Sequence, residues 1–272
     1  MKKILLASVI AVANIQAYSA QPATLPPQGD SIEIDPAFEK VKQLIQANDL
    51  TGAYKELERL GKTGNAQALY NLAYLNQAGQ GTPQNFSKAV QYYEEAGKKG
   101  YSIANYVLAQ NYATGGLGLK KDDKKSRDYL EKASAQGFSD ATVELAVMLF
   151  AEGKAQSDKL ALQKLDPLLK KGDYQAMHAK ALYDISQGYV RKDAKLIEQG
   201  ISTIQDLGKK GYIPALMAIG NMMTNGNIIN QNLPEAKKIF AALAEQNVPQ
   251  AKESLDAVNQ LIAEKAKAPA KK

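Results

Sequence analysis

Small and apolar residues return along this chain with a period near 36 residues, far longer than the period of any one helix or strand. Gly64, Gly100, Gly137, Gly172 and Gly211 are each followed four residues later by an alanine: Ala68, Ala104, Ala141, Ala176 and Ala215. Asn247 repeats the pattern with Ala251, and the markers stand 36, 37, 35, 39 and 36 positions apart. A domain built around one core has no reason to show such regularity, whereas a stack of equal units requires it.

Each unit reads as two antiparallel helices. Helix A follows the marker and carries small or apolar residues four, eight and nine positions on, as in Ala68, Leu72 and Ala73, or Ala104, Leu108 and Ala109. Ala141, Leu145 and Ala146 repeat it, as do Ala215, Ile219 and Gly220. These offsets share one helical face. Helix B precedes the next marker with apolar pairs such as Tyr93 and Ala96, Leu130 and Ala133, Leu165 and Leu168, Ile204 and Leu207, and Phe240 and Leu243. Turn-formers separate the two, as in Gly79 to Pro83, Gly115 to Gly118, Gly188, and Gly226-Asn227.

The ends follow the same logic. Asp35-Pro36 predicts a helix start leading into a stripe of Phe38, Val41, Leu44 and Ile45, and Ala53, Leu57 and Leu60 keep the helix B offsets from Gly64. Residues 35–64 read as a shortened first repeat. Leu255, Val258 and Leu261, set among charged residues, predict a final helix covering the open apolar face of the array.

These residues resemble the Sel1-like repeats, relatives of the tetratricopeptide repeat. The match is fullest over 65–100, through Ala68, Leu72, Gly79, Gly81, Ala89, Tyr92, Tyr93, Ala96 and Gly100, and next over 101–137. The third and fifth units match less well, and the fourth departs, with Lys180 and Asp184 where the pattern has leucine and tyrosine. The resemblance implies an all-α fold: a right-handed α-solenoid of about five helix-turn-helix repeats, plus the shortened first repeat and a C-terminal capping helix. A single solenoid is expected over 35–264.

Outside that array, Lys2 and Lys3 precede the apolar run Ile4 to Ala13, with small residues around Ala17 to Ala20. This is the layout of a cleavable secretory signal over 1–20, too short to span a bilayer. A Pro- and Gln-containing linker is expected over 21–34 and a basic disordered tail over 265–272. The chain has no cysteine, which excludes a lipid-anchored cysteine and a disulfide framework. The expected compartment is the periplasm, with secretion as the alternative.

Charge and chemistry narrow the function. The chain is formally +6, but Lys2, Lys3 and the four lysines of 265–272 account for all of the excess. The remaining body is neutral and offers no basic face for nucleic acid. The lysine pairs Lys98-Lys99, Lys170-Lys171 and Lys209-Lys210 fall at helix ends, where cations meet the negative end of the helix dipole. One histidine, His178, and no cysteine leave little with which to assemble a triad or a zinc site. No cofactor, metal or catalytic residue is expected.

What remains is a surface. In such arrays the A helices line the concave side, and the residues six and ten after each marker can reach a ligand. Those offsets give Tyr70, Tyr74, Tyr106, Gln110, His178, Met217 and Asn221 as candidate binding residues. The same side chains could instead pack between neighbouring A helices. The expected function is a non-catalytic adaptor or regulator binding a protein partner along the concave face, with a cell-envelope protein or peptidoglycan as candidate partners. A glycan-associated envelope module is the alternative.

Overall fold

In the computed structural model, residues 36–267 are described. The expected signal (1–20), the linker (21–34), the cap residue Asp35 and residues 268–272 of the tail lie outside them. Among the described residues there are 13 α-helices and no strand. None of these helices is long and apolar enough to cross a membrane. They fall into two compact units, one ending at Leu149 and one beginning at Phe150, and each is taken by itself.

In the first unit a 3-10 turn, Pro36–Phe38, leads into α1 (Glu39–Gln46). There follow α2 (Leu50–Lys62), α3 (Ala66–Ala78), α4 (Phe86–Lys98), α5 (Ser102–Thr114), α6 (Asp123–Ala135) and most of α7 (Ser139–Ala151). The second holds α8 (Ala155–Lys170), α9 (Tyr174–Arg191), α10 (Ala194–Lys209), α11 (Ile213–Asn225), α12 (Leu233–Glu245) and α13 (Ala251–Lys267). Within each unit successive helices pack on one another, giving the repeated helix pairs of an α-solenoid.

The helices begin where polar side chains can satisfy free backbone N–H groups. Asn65, Asn85 and Asp122 accept from the N–H of Ala68, Lys88 and Lys125 at 2.9 Å each, and Asp173 from Ala176 at 2.8 Å. Asp193 and Asn232 do the same for α10 and α12. The A-to-B loops close by a recurrent bond in which the cap residue of helix B donates to helix A: Asn85 to Asn76, Asp122 to Tyr112 and Asn232 to Met223. In the fourth repeat Asp193 donates instead to Gly188. That carbonyl lies one helical turn further from its marker, because α9 has 18 residues where α3, α5 and α11 have 13. Gly79, Gly115 and Gly226 end helix A in the left-handed conformation that glycine favours.

The repeat face is buried as the offsets predict. Ala68, Leu72, Ala73, Ala104, Leu108, Ala109, Ala141, Leu145 and Ala146 are at most 1% exposed. On the B helices Tyr93, Ala96, Leu130, Ala133, Leu165, Ile204, Leu207, Phe240 and Leu243 are buried, while Leu168 is only half-buried. Neighbouring helices approach closely through glycine: a Cβ on Gly97 would lie 2.4 Å from Asn105 Oδ1.

Some expectations need correction. Ile45 is 47% exposed; the buried stripe consists of Phe38, Val41 and Leu44, and Ile45, in the last turn of α1, stands outside it. In α9 the Lys180 and Asp184 side chains form an ion pair at 2.5 Å instead of core contacts, and Leu182 and Ile185 supply the apolar burial. The charged region Lys120 to Arg127 enters α6 at Asp123. α13 covers Phe240 and Leu233 through Val258, with Leu255 and Leu261 beside it, and it continues to Lys267. The first three residues of the expected tail are therefore helical, and Lys265 hydrogen-bonds Gln231.

Candidate functional site

The A helices of the first unit bring four of the seven expected residues onto α3 and α5. Tyr70 is half-buried, with its ring 5.0 Å from Tyr101 and 5.5 Å from Tyr93. Burial pushes its phenol up to about 12, with Tyr101 and Tyr74 adding to the shift. Tyr74, one turn along α3, is half-buried against the first core cluster. Beneath this pair Tyr93 donates its hydroxyl to Gln77 Oε1 at 2.8 Å.

On α5, Tyr106 packs 5.0 Å from Phe138, with Glu144 of α7 near its hydroxyl. Gln110 Nε2 donates to Glu144 Oε2 at 2.7 Å. Gln110 and the Tyr106 phenol of one A helix thus surround a carboxylate of the next. Burial raises the Glu144 pKa above the ordinary carboxylate value; Tyr106 and Gln110 lower it and Asp140, one turn away, raises it further. The Tyr106 phenol is raised as well, first by burial and then by Glu144 and Asp140. The arrangement presents an acidic group, an amide and phenolic rings, held by packing and by one another.

The other three candidates lie in the second unit. His178 is 8% exposed, edge-on to Tyr212 at 5.7 Å, and its Nε2 has no hydrogen-bond partner. Burial lowers its pKa to about 4. This side chain is buried and in edge-on contact with Tyr212. Met217 packs beside the last core cluster of Leu233, Ala236, Phe240 and Val258, and Asn221 is half-buried.

One rule explains the residues six after the marker. Tyr70 meets Tyr101, Tyr106 meets Phe138 and His178 meets Tyr212, and in each case the partner directly follows the next marker glycine. These three side chains therefore pack between repeats, and Tyr70 and Tyr106 keep part of their rings exposed while doing so. The partners Tyr101, Phe138 and Tyr212, and the acceptor Glu144, were not among the residues the sequence singled out. An aromatic directly after each of three marker glycines was the available signal.

Helix pairs stacked in this way define an α-solenoid of short repeats. Three of the repeats match the Sel1 repeat model, at residues 66–101, 102–138 and 213–248. The third and fourth units, including the elongated α9, fall between the matches. The fold is that of a Sel1 repeat protein from Oxalobacter formigenes, at 22% identity and a TM-score of 0.63, over 80% of this chain and 86% of that one. It is also that of c5321, a protective antigen present in uropathogenic Escherichia coli strains and displaying an SLR fold. There the identity is 19% and the TM-score 0.60, over 77% of this chain, which spans 44% of that protein. No curated protein matches the chain.

Proposed function

We propose that the protein is a non-catalytic scaffold that binds an extended segment of a partner protein along the A-helix face of residues 66–149. Sel1 repeats generally mediate contacts between proteins. The observation that supports a binding role here is the Gln110–Glu144 hydrogen bond, with Tyr106 near the same carboxylate, on the face that also carries the half-buried Tyr70 and Tyr74. Half-exposed tyrosines held by packing contribute contact area at low entropic cost. The Glu144 carboxylate and the Gln110 amide add polar groups that select a segment carrying a cationic side chain or backbone N–H donors. Tyr74→Ser combined with Glu144→Gln is expected to abolish recovery of a cross-linked partner from intact cells while leaving the melting transition within a few degrees. Undiminished recovery would move the binding face elsewhere, and recovery of glycan in place of protein would favour an envelope glycan-binding module.

The proposed compartment is the periplasm, supported by the basic, apolar and small-residue layout of residues 1–20. N-terminal sequencing of the protein from fractionated cells is expected to find a start near residue 20 in the periplasmic fraction. Retention of Met1 on a cytoplasmic form would contradict it.

A further inference from the structure

Charge is divided unevenly between the two rows of helices in the first unit. The A helices α3 and α5 contain no charged side chain, and α7 contains two, Asp140 and Glu144, both acidic. The B helices α4 and α6 carry both signs, as in Lys88, Glu94 and Lys98 of α4 and the Arg127–Glu131 ion pair of α6. The A-helix row is therefore anionic and supplies no lysine or arginine of its own. It also carries the half-buried rings of Tyr70, Tyr74 and Tyr106.

Glu144 differs from a solvated surface acid. It is half-buried, Gln110 Nε2 holds its Oε2 at 2.7 Å, and the charge that acts on it is that of Asp140, of the same sign. Like charges one helical turn apart repel, and partly buried charges are screened less than exposed ones. A cation brought to this point relieves that repulsion, and the faces of the tyrosine rings attract the same ion. A chain bearing phosphates or carboxylates is repelled. Helical backbone groups bond within their own helices, so a segment laid across the row is read through side chains. The row is continuous: Tyr70 and Ala73 share a cluster with Ala104 and Leu108, and Ala109 shares one with Ala141. Packed helices lie about 8–10 Å apart and an extended chain advances about 3.3–3.6 Å per residue, so a segment crossing from α3 to α7 spans about five or six residues.

We infer that the A-helix row selects a protein segment with an apolar residue at Tyr70 and Tyr74 and a lysine or arginine about five residues away, at Asp140 and Glu144. The inference rests on the reading of this face as the docking surface, and adds the sign of what docks and its spacing. The gradient along the row sets the orientation: phenol rings on α3, the Gln110 amide on α5 and carboxylates on α7. A segment basic throughout would leave the α3 rings without an apolar partner, and an apolar one would leave the α7 carboxylates without a cation.

The test passes a random-sequence dodecapeptide mixture over the immobilised full-length chain and sequences the retained peptides by mass spectrometry. Lysine and arginine are expected to be enriched severalfold over the starting mixture, with an apolar residue about five positions away. Asp140→Asn combined with Glu144→Gln, which keeps the size of both side chains, should abolish the basic enrichment and leave the apolar preference. Tyr74→Ser should do the reverse. Asp128→Asn combined with Glu131→Gln removes the same charge from exposed positions of α6 and should change neither. Retention without basic enrichment, or a basic enrichment that survives the α7 replacements or is lost equally on the α6 ones, would overturn the inference. If retention is then still lowered by Tyr74→Ser, the docking face itself stands. No retention, or retention that no A-helix variant alters, would overturn both.

Discussion

The rings of Tyr106 and Phe138 lie 5.0 Å apart at an interplanar angle of 53°, joining helix A of one repeat to the residue that opens the next. Tyr70 and Tyr101 repeat the contact at 5.0 Å. A double-mutant cycle on Tyr106→Leu and Phe138→Leu, read by urea denaturation, should give a coupling of about 0.5 to 1.5 kcal/mol. Additive effects would mean that the two rings are neighbours without being partners.

Ala141 is fully buried among Ala109, Leu130 and Ala133. Ala141→Phe should overpack this junction and destabilise the chain by about 1 to 3 kcal/mol. An unchanged unfolding transition would contradict the assignment of Ala141 to the packing face.

His178 gives the second unit a pH dependence of known sign. Its folded pKa is lowered from 6.5 to about 4 by burial, so below pH 6.5 the unfolded chain binds the proton more readily. The stability this neutral histidine preserves is complete above pH 6.5 and is lost as pH falls towards 4, by about 3 kcal/mol over that window. His178→Phe should flatten the stability profile between pH 6.5 and 4 relative to the unmodified chain. Parallel profiles for the two proteins would show that the imidazole is solvated.

Glu144 behaves in the opposite sense. Its pKa is raised in the fold, chiefly by burial, so the folded chain holds the proton more tightly, and this contribution to stability is lost as pH rises through the folded pKa. Glu144→Gln keeps an acceptor for Tyr106 and Gln110 without the buried charge. Its stability relative to the unmodified chain should be higher at pH 7 than at pH 4, and a difference independent of pH would contradict the burial of the carboxylate.

Much of the fold was legible because burial repeats at fixed offsets. Leu72, Leu108 and Leu145 stand eight residues after their markers, and all are at most 1% exposed. The contacts between repeats were harder to read. Tyr106 and Phe138 are 32 residues apart, so neither helical periodicity nor the composition of one repeat pairs them. His178 shares an offset with Tyr70, yet it is buried, edge-on to the Tyr212 ring. Glu144 was hidden for a similar reason: an acidic residue on an A helix reads as solvated until the preceding A helix supplies Tyr106 and Gln110.

The A-helix face of residues 66–149 is the proposed seat of a partner protein. Site-specific photo-cross-linking in living cells tests it most directly, with a photo-reactive phenylalanine placed at Tyr74 or Gln110 and, as controls, at the exposed Lys88 of α4 and Glu131 of α6. One discrete protein adduct is expected from Tyr74 and Gln110, absent from the two controls and lost when Glu144→Gln is added. Adducts of equal yield from all four positions, or from the B-helix positions alone, would contradict it.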